Sequence, residues 1–359
     1  MILTAGPSIT KKEIDYVTDA ITNGHGEHWG DYVHEFESSF AQYIGVKHAM
    51  ATSSCTGALH LGLLALGIRN GDEVILPDMS WIASASVIRY VGATPVFVDI
   101  KPDTWCINPM SIIKSITPKT KAIMPVHLYG HPCYMDTIHE IANEYGLKII
   151  EDAAPSVGAE FNGRKTGSTG DVAGFSFQGA KLLSTGEGGM FVTNNSDLYD
   201  RAKHFVEHGR SGSGFHISDI GYKYKMSNLQ AAWGLAQIER VEELIARRRE
   251  IYEWYSRELR NIEGISLNKE PTLIEKPIYW MTSVVFHGDV DRDGIMARLK
   301  DKGIDTRPFF PPMSSFPMFK PCYNPEAIYA GKRGINLPSG HNVTHDEVIY
   351  ICNCLKLML

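Results

Sequence analysis

Between Glu73 and Asn194 the chain repeats one pattern: a short β-rich run, a break or a helical stretch, then another run. The runs are DEVILP, TPVFVDI, TKAIMPVHL, LKIIEDAA, DVAGFSF and GGMFVTN. Several are apolar without the one-in, one-out alternation of a strand that has a wet face, so both of their faces must be covered. Helical patterns supply the cover. TGALHLGLLALG precedes the first run, and MDTIHEIANEYG separates the third from the fourth. The repetition predicts an α/β fold: a mostly parallel, mixed sheet flanked by helices.

Beyond it, MSNLQAAWGLAQIERVEELIARRREIYEWYSRELRNI reads as one long helical stretch that bridges two units. The remainder offers a strand (WMTSVVFHG), a helix (VDRDGIMARLKDKG), a proline-rich loop (RPFFPPMSSFP) and a closing helix (HDEVIYICNCLKLM). A chain of 359 residues exceeds what one core usually serves. The expected division is a large domain over residues 1–245 and a smaller C-terminal α/β domain over 246–359.

A net charge of −6 without a basic stripe argues against nucleic acid or an anionic membrane as partner, and leaves small molecules. The N-terminus lacks a basic start followed by an apolar run, and no apolar stretch is long enough to span a bilayer, so a cytoplasmic location is expected. The six cysteines are scattered, which predicts reduced thiols. Cys352 and Cys354 have no second pair to complete a zinc site, and no metal is expected.

In an open sheet, ligands bind outside the carboxyl ends of the strands, so residues just after each run matter most. Four segments stand out. SSCTGALH puts small hydroxyl residues at a helix start, where free N–H groups and the helix dipole favour a phosphate; simple N-capping by Ser54 or Thr56 would use the same residues. IIEDAAPSVGA sets Asp152 past a buried strand, where a carboxylate needs a partner. DMSWIASA offers Trp81, able to stack on a flat ring or to pack in a core. FSFQGAKLLSTGEGG isolates Lys181, whose amine becomes nucleophilic if it is withdrawn from water. A phosphate seat, a ring stacker, a carboxylate for a pyridinium nitrogen and an amine for an aldehyde are together the needs of pyridoxal 5′-phosphate, PLP.

These segments, with GDEVILPDMSWIASA, GATPVFVDI, TKAIMPVHLYGHPCYMD, GSTGDVAGFSF, MSNLQAAWGLAQIE and GINLPS, resemble the PLP-dependent sugar-nucleotide aminotransferases of fold type I, from about Thr10 to the C-terminus. Within that family the chain is most similar to the GDP-perosamine synthases, which aminate C4 of a nucleotide-linked 4-keto-6-deoxy sugar. The resemblance implies that Lys181 is the Schiff-base lysine, that Asp152 pairs with the pyridine nitrogen, and that Trp81 and Ala154 lie on the two ring faces. It puts Cys55 and Thr56 at the phosphate loop, where relatives usually carry Gly-Thr, and Ser176 and Gln178 at further cofactor contacts. Asn228 would reach the phosphate of a neighbouring subunit, which implies a homodimer with shared active sites. His127, Tyr129, Lys223, Arg307 and Ser314 fall on the implied substrate side, with a nucleotide sugar and glutamate as partners. There GYKYKM sets Lys223 and Lys225 where relatives carry asparagine and arginine, and Pro311 and Ser314 stand where relatives often have histidines or a tyrosine.

Rival readings remain. HFVEH, His204 to His208, matches the H-x-x-E-H pattern of some zinc peptidases, with both imidazoles on one helical face. GAEFNGRKT looks like a phosphate loop, but Arg164 stands where a lysine should follow Gly163, and a charged turn is expected instead. A PLP-binding regulator that kept the fold without the activity is the non-enzymatic alternative.

Overall fold

The computed structural model describes residues 1–211 and 215–359. All six apolar runs form strands: Glu73–Pro77, Thr94–Val98, Thr120–Ile123, Lys148–Asp152, Val172–Ser176 and Gly189–Thr193. A seventh, His48–Thr52, joins them at the edge of the sheet beside Gly189–Thr193. Glu73–Pro77, Thr94–Val98, Thr120–Ile123, Lys148–Asp152 and Val172–Ser176 pair in parallel, while Gly189–Thr193 runs against both of its neighbours. This is the mixed, mostly parallel sheet that the unalternating runs predict.

The pleat sorts successive side chains to opposite faces. Ile75, Ile123, Ile149, Phe175 and Val192 enter one buried cluster, and Val74, Leu76, Ala122, Ile150 and Phe191 enter another. The helix Cys55–Ala65 is buried almost all round, which is why its sequence carries no polar stripe.

The long helical stretch is two helices, Asn228–Ile238 and Val241–Leu259. The break falls at Glu239–Arg240, where the Arg240 guanidinium reaches Glu13 of the helix Lys11–Thr22 at 2.6 Å and Glu243 at 2.7 Å. Helical periodicity continues across these two residues, so the pattern alone does not reveal the joint. The second helix passes through position 245 without interruption. Val241, Leu244 and Ile245 pack in the large core, and Ile251, Tyr255 and Leu259 pack with the smaller sheet. That sheet is antiparallel in the order Ile265–Leu267, Thr282–Phe286, Gly334–Leu337, Arg307–Pro308, backed by the helices Arg292–Asp301 and His345–Lys356.

GAEFNGRKT is a tight hairpin. Glu160–Phe161 pairs with Arg164–Lys165 across Asn162 and Gly163, whose φ values of 54° and 74° suit an Asn-Gly turn of the type I′ kind. No helix follows it to receive a phosphate. Among the described residues no helix is long and apolar enough to cross a membrane, and all six cysteines are free.

Candidate active site

Because the strand His48–Thr52 and the five parallel strands point the same way, Thr52, Pro77, Ile123, Asp152 and Ser176 all lie toward one edge of the sheet. Asp152 ends its strand there, buried, opposite Gly174. Its Oδ2 accepts the Ser84 hydroxyl at 2.7 Å and its Oδ1 accepts the Ala154 N–H at 3.1 Å. No cation lies within salt-bridge distance of it among the described residues. Burial pushes its carboxyl above the usual range, against the two hydrogen bonds and the nearby positive charge of Lys181.

Lys181 sits in the loop that joins the antiparallel pair Val172–Ser176 and Gly189–Thr193. The loop's base is pinned by the Phe177 N–H to Gly188, the Gly179 N–H to Gly186 and the Thr185 N–H to Phe177. The Lys181 Nζ lies 3.6 Å from the centroid of the Trp280 ring, and the Trp280 indole N–H donates to the Ala180 carbonyl at 2.7 Å. One side chain thus holds two successive residues of the loop. Burial lowers the Lys181 ammonium to about 8, opposed by the negative charge of Asp152. A far larger fraction of this amine is neutral near pH 7 than of an ordinary lysine.

The helix Cys55–Ala65 starts at the same edge. Ser54 caps it, its Oγ accepting from the Gly57 N–H at 3.1 Å, so the capping reading of SSCTGALH is correct for Ser54. The first two N–H groups, those of Cys55 and Thr56, find no acceptor among the described residues. A β-carbon at Gly189 would collide with the Cys55 nitrogen, so glycine there lets this helix end approach the lysine loop closely. Trp81 follows the strand Glu73–Pro77 and is 64% exposed, with Phe310 at 6.0 Å as its aromatic neighbour. It does not pack in the core. Ser176 ends its strand, its Oγ 3.4 Å from the Gln178 N–H, and Gln178 accepts from Ala180 at 2.9 Å.

The other residues expected at the site are elsewhere or turned inward. His127 is fully buried, with Nε2 on Glu151 at 2.9 Å and Nδ1 accepting the Cys133 N–H at 3.0 Å, so neither nitrogen is free for a substrate. Tyr129 is buried among Trp105, Trp280, Phe309 and Phe310, its hydroxyl oxygen accepting the Phe310 N–H. Ser314 is buried too, and binds Asp78 through both its N–H and its hydroxyl at 2.7 Å. In all three the polar atoms are engaged within the chain. Arg307 is exposed on the smaller sheet, 3.4 Å from Asp305.

Lys223 and Lys225 share Glu207 at 3.7 and 3.1 Å. Lys225 and Asn228 line a groove of about 930 Å³ with Trp29, His34 and Glu207. Asn228 has neither its Oδ1 nor its Nδ2 paired, although both atoms are buried. The HFVEH pattern fails as a metal site. The helix Ser196–Val206 ends before its second histidine, and His208 has φ of 61°, so the two imidazoles do not share a helical face. Among the described residues no cluster of histidine, cysteine and carboxylate side chains could hold a metal.

Ser84 was not legible as a site residue. Its only sequence signal is a small hydroxyl three positions after Trp81; its partner lies 68 residues on.

The donor set fits PLP. A buried carboxylate lacks a cation, two helix-end N–H groups lack an acceptor, a large aromatic face is uncovered and a part-buried amine has a pKa lowered toward neutrality.

Comparison with known proteins agrees with that set. The model of the DegT/DnrJ/EryC1/StrS aminotransferase family matches residues 7–356. The chain is 44% identical to a GDP-perosamine synthase of Escherichia coli O157:H7, over 98% of this chain and 96% of that one. It is 40% identical to one of Caulobacter vibrioides, over 100% and 98%. The fold is similar to that of a Streptococcus pneumoniae protein described as a sugar aminotransferase and solved in a PMP form, with a TM-score of 0.94, 28% identity, and 100% and 99% of the two chains covered.

Proposed function

Because the chain belongs to the DegT/DnrJ/EryC1/StrS aminotransferase family, we propose that it aminates C4 of a nucleotide-linked 4-keto-6-deoxy sugar, GDP-linked as for GDP-perosamine synthases, with glutamate as amino donor. The enzyme is a PLP-dependent transaminase. One observation carries the chemistry: a part-buried amine of lowered pKa and a buried carboxylate outside any ion pair lie at the same sheet edge.

When bound, PLP supplies an aldehyde that takes up an amine and a ring that accepts the electron pair left when a neighbouring C–H loses its proton. Lys181 would hold it through its Nζ. Once free, the same amine would take the α-proton as a base and return it as an acid, a role suited to a pKa near the working pH. Asp152 would keep the ring nitrogen protonated, and Trp81 and Ala154 would bound the ring. The N–H groups of Cys55 and Thr56, with Ser176 and Gln178, would take the phosphate end. A contact through the backbone N–H does not depend on the side chain, so Cys55 in place of the relatives' usual glycine would still offer it.

The unpaired amide of Asn228 supports a homodimer in which it completes the neighbouring site. Lys223, Lys225 and Arg307, all exposed, are the basic groups proposed to meet the nucleotide sugar. A lysine cannot reproduce the two-pronged grip of arginine on a phosphate, so this chain should accept its nucleotide with a looser geometry than relatives that carry arginine.

Two measurements test this. The protein loaded with PLP and glutamate is offered GDP-, dTDP- and UDP-linked 4-keto and 3-keto sugars, and products are read by mass. The 4-amino product from the GDP-linked 4-keto sugar is expected to dominate, and absence of amine transfer to every sugar would overturn the reading. The second concerns pH. Only the neutral amine can attack the aldehyde, so borohydride-trapped label on Lys181 should accumulate faster as pH rises and level off above about 8. A rate still climbing toward pH 10 would mean an ordinary, solvated lysine.

A further inference from the structure

The geometry beside Asp152 carries a step that the family reading leaves open, and it rests on the proposal that Asp152 meets the ring nitrogen of PLP. We infer that Ser84 is a positioning residue for that carboxylate, with Ser80 behind it, and that the pair keeps Asp152 charged and aimed while the cofactor is bound.

Ser84 is fully buried in the helix Ala83–Tyr90 and Ser80 is nearly so. A serine hydroxyl has one proton to donate. That of Ser84 has two acceptors in reach, Asp152 Oδ2 at 2.7 Å and the Trp81 carbonyl at 3.3 Å. The shorter bond, to a carboxylate, is the stronger, so the proton goes to Asp152. The Ser84 oxygen is then left to accept, and Ser80 Oγ lies 3.2 Å away as the donor. The result is a directed chain, Ser80 to Ser84 to Asp152. Each donation favours the anion, at a depth where burial favours the acid.

The placement is economical of sequence: Ser80 and Ser84 flank Trp81, so one short segment offers both the ring-stacking aromatic and the donors behind the carboxylate. The Ala154 N–H fixes the other oxygen at 3.1 Å. With both oxygens held, Asp152 would not rotate away when an amino donor releases Lys181. Nothing in this arrangement touches the aldehyde end, so its effect should appear only through the ring nitrogen.

That locality makes the test. Dissociation constants are measured for PLP and for its 1-deaza analogue, whose ring has carbon in place of the nitrogen, by titrating the cofactor-free dimer and following the bound absorbance band. The wild type should prefer PLP. Ser84→Ala should weaken PLP by about tenfold, the loss of one hydrogen bond to a charged group, and leave the deaza analogue within about twofold. Ser84→Thr keeps the hydroxyl and should restore the preference. Ser80→Ala, one bond further out, should lower it by about threefold, which keeps the inference open to test even if the alanine variant at 84 folds poorly. Equal weakening of both ligands, or no change in either, would overturn it. A wild type indifferent to the ring nitrogen would instead sink the pairing of Asp152 on which the inference rests.

Discussion

Replacement of Lys181 by alanine is expected to lower the turnover of keto sugar with glutamate by about 10⁴-fold, close to the whole of what a positioned proton-transfer group contributes. At 1.36 kcal/mol per tenfold, that is about 5 kcal/mol of barrier. The physical reason is that, among the described residues, no second lysine acts on Asp152. Lys181 is the lysine whose charge acts on Asp152 and Cys55, and the other lysines singled out, Lys223 and Lys225, are exposed and engaged with Glu207. The fold should survive, because the lysine loop is pinned by three backbone bonds and by the Trp280 indole on Ala180, none of which uses the Lys181 side chain. The variant should therefore still bind the pyridoxamine form of the cofactor, give no borohydride-trapped peptide, and regain part of its rate when a small primary amine is added. Residual turnover within tenfold of the wild type would remove Lys181 from the chemistry.

How much of this could be read from the sequence depends on what each residue's fate is decided by. The strands were legible because burial on both faces leaves a local mark, a run without alternation. His48–Thr52 left none: it is a five-residue edge strand whose assignment rests on pairing with Gly189–Thr193, about 140 residues away. The single long helix became two because Arg240 turns to meet Glu13, a contact across 227 positions that periodicity does not carry.

The candidate site divides in the same way. Asp152, Trp81, Ser176 and Lys181 follow strands, and in a parallel sheet the ends of strands share an edge, so topology alone gathers them. His127 and Tyr129 also follow a strand, yet their side chains turn inward, His127 to Glu151 and Tyr129 into an aromatic cluster. Whether a polar residue after a strand faces the cavity or the core depends on which distant partner claims it. Ser314 was claimed by Asp78, 236 positions earlier. Ser84 is the converse case, an unremarkable serine made relevant by one hydrogen bond.

The strand Lys148–Asp152 ends in two acids, and the pleat sends them to opposite faces with opposite tasks. Asp152 faces the site; Glu151 holds the structure, and its loss is the second large effect expected. Its carboxylate, wholly buried, accepts from His127 Nε2 at 2.9 Å, from the N–H groups of Gly167 at 2.7 Å, Thr169 at 2.9 Å and Gly170 at 2.5 Å, and from the Thr169 hydroxyl at 3.0 Å. Since Cys133 donates to His127 Nδ1, the ring proton is on Nε2 and the imidazole serves Glu151 as a donor. Burial alone would raise the Glu151 carboxyl, but the His127 bond and the N–H groups of Gly167 and Gly170 outweigh it and hold it at about 2, against 4.5 unperturbed.

A depressed folded-state value means that the group stabilises the fold above the unfolded pKa and ceases to do so as pH falls through the folded one. The contribution, about 3 kcal/mol from the shift, should be complete above pH 4.5 and fade between there and about 2. Glu151→Ala should cost about 3–5 kcal/mol at pH 7, because it strands one imidazole and three backbone N–H groups in a dry interior. Urea unfolding at pH 7 reads that loss directly. Repeated between pH 5 and pH 2.5, it should show the wild type losing stability toward the variant, and parallel curves for the two proteins would mean that Glu151 is not the charged anchor of the 167–170 loop.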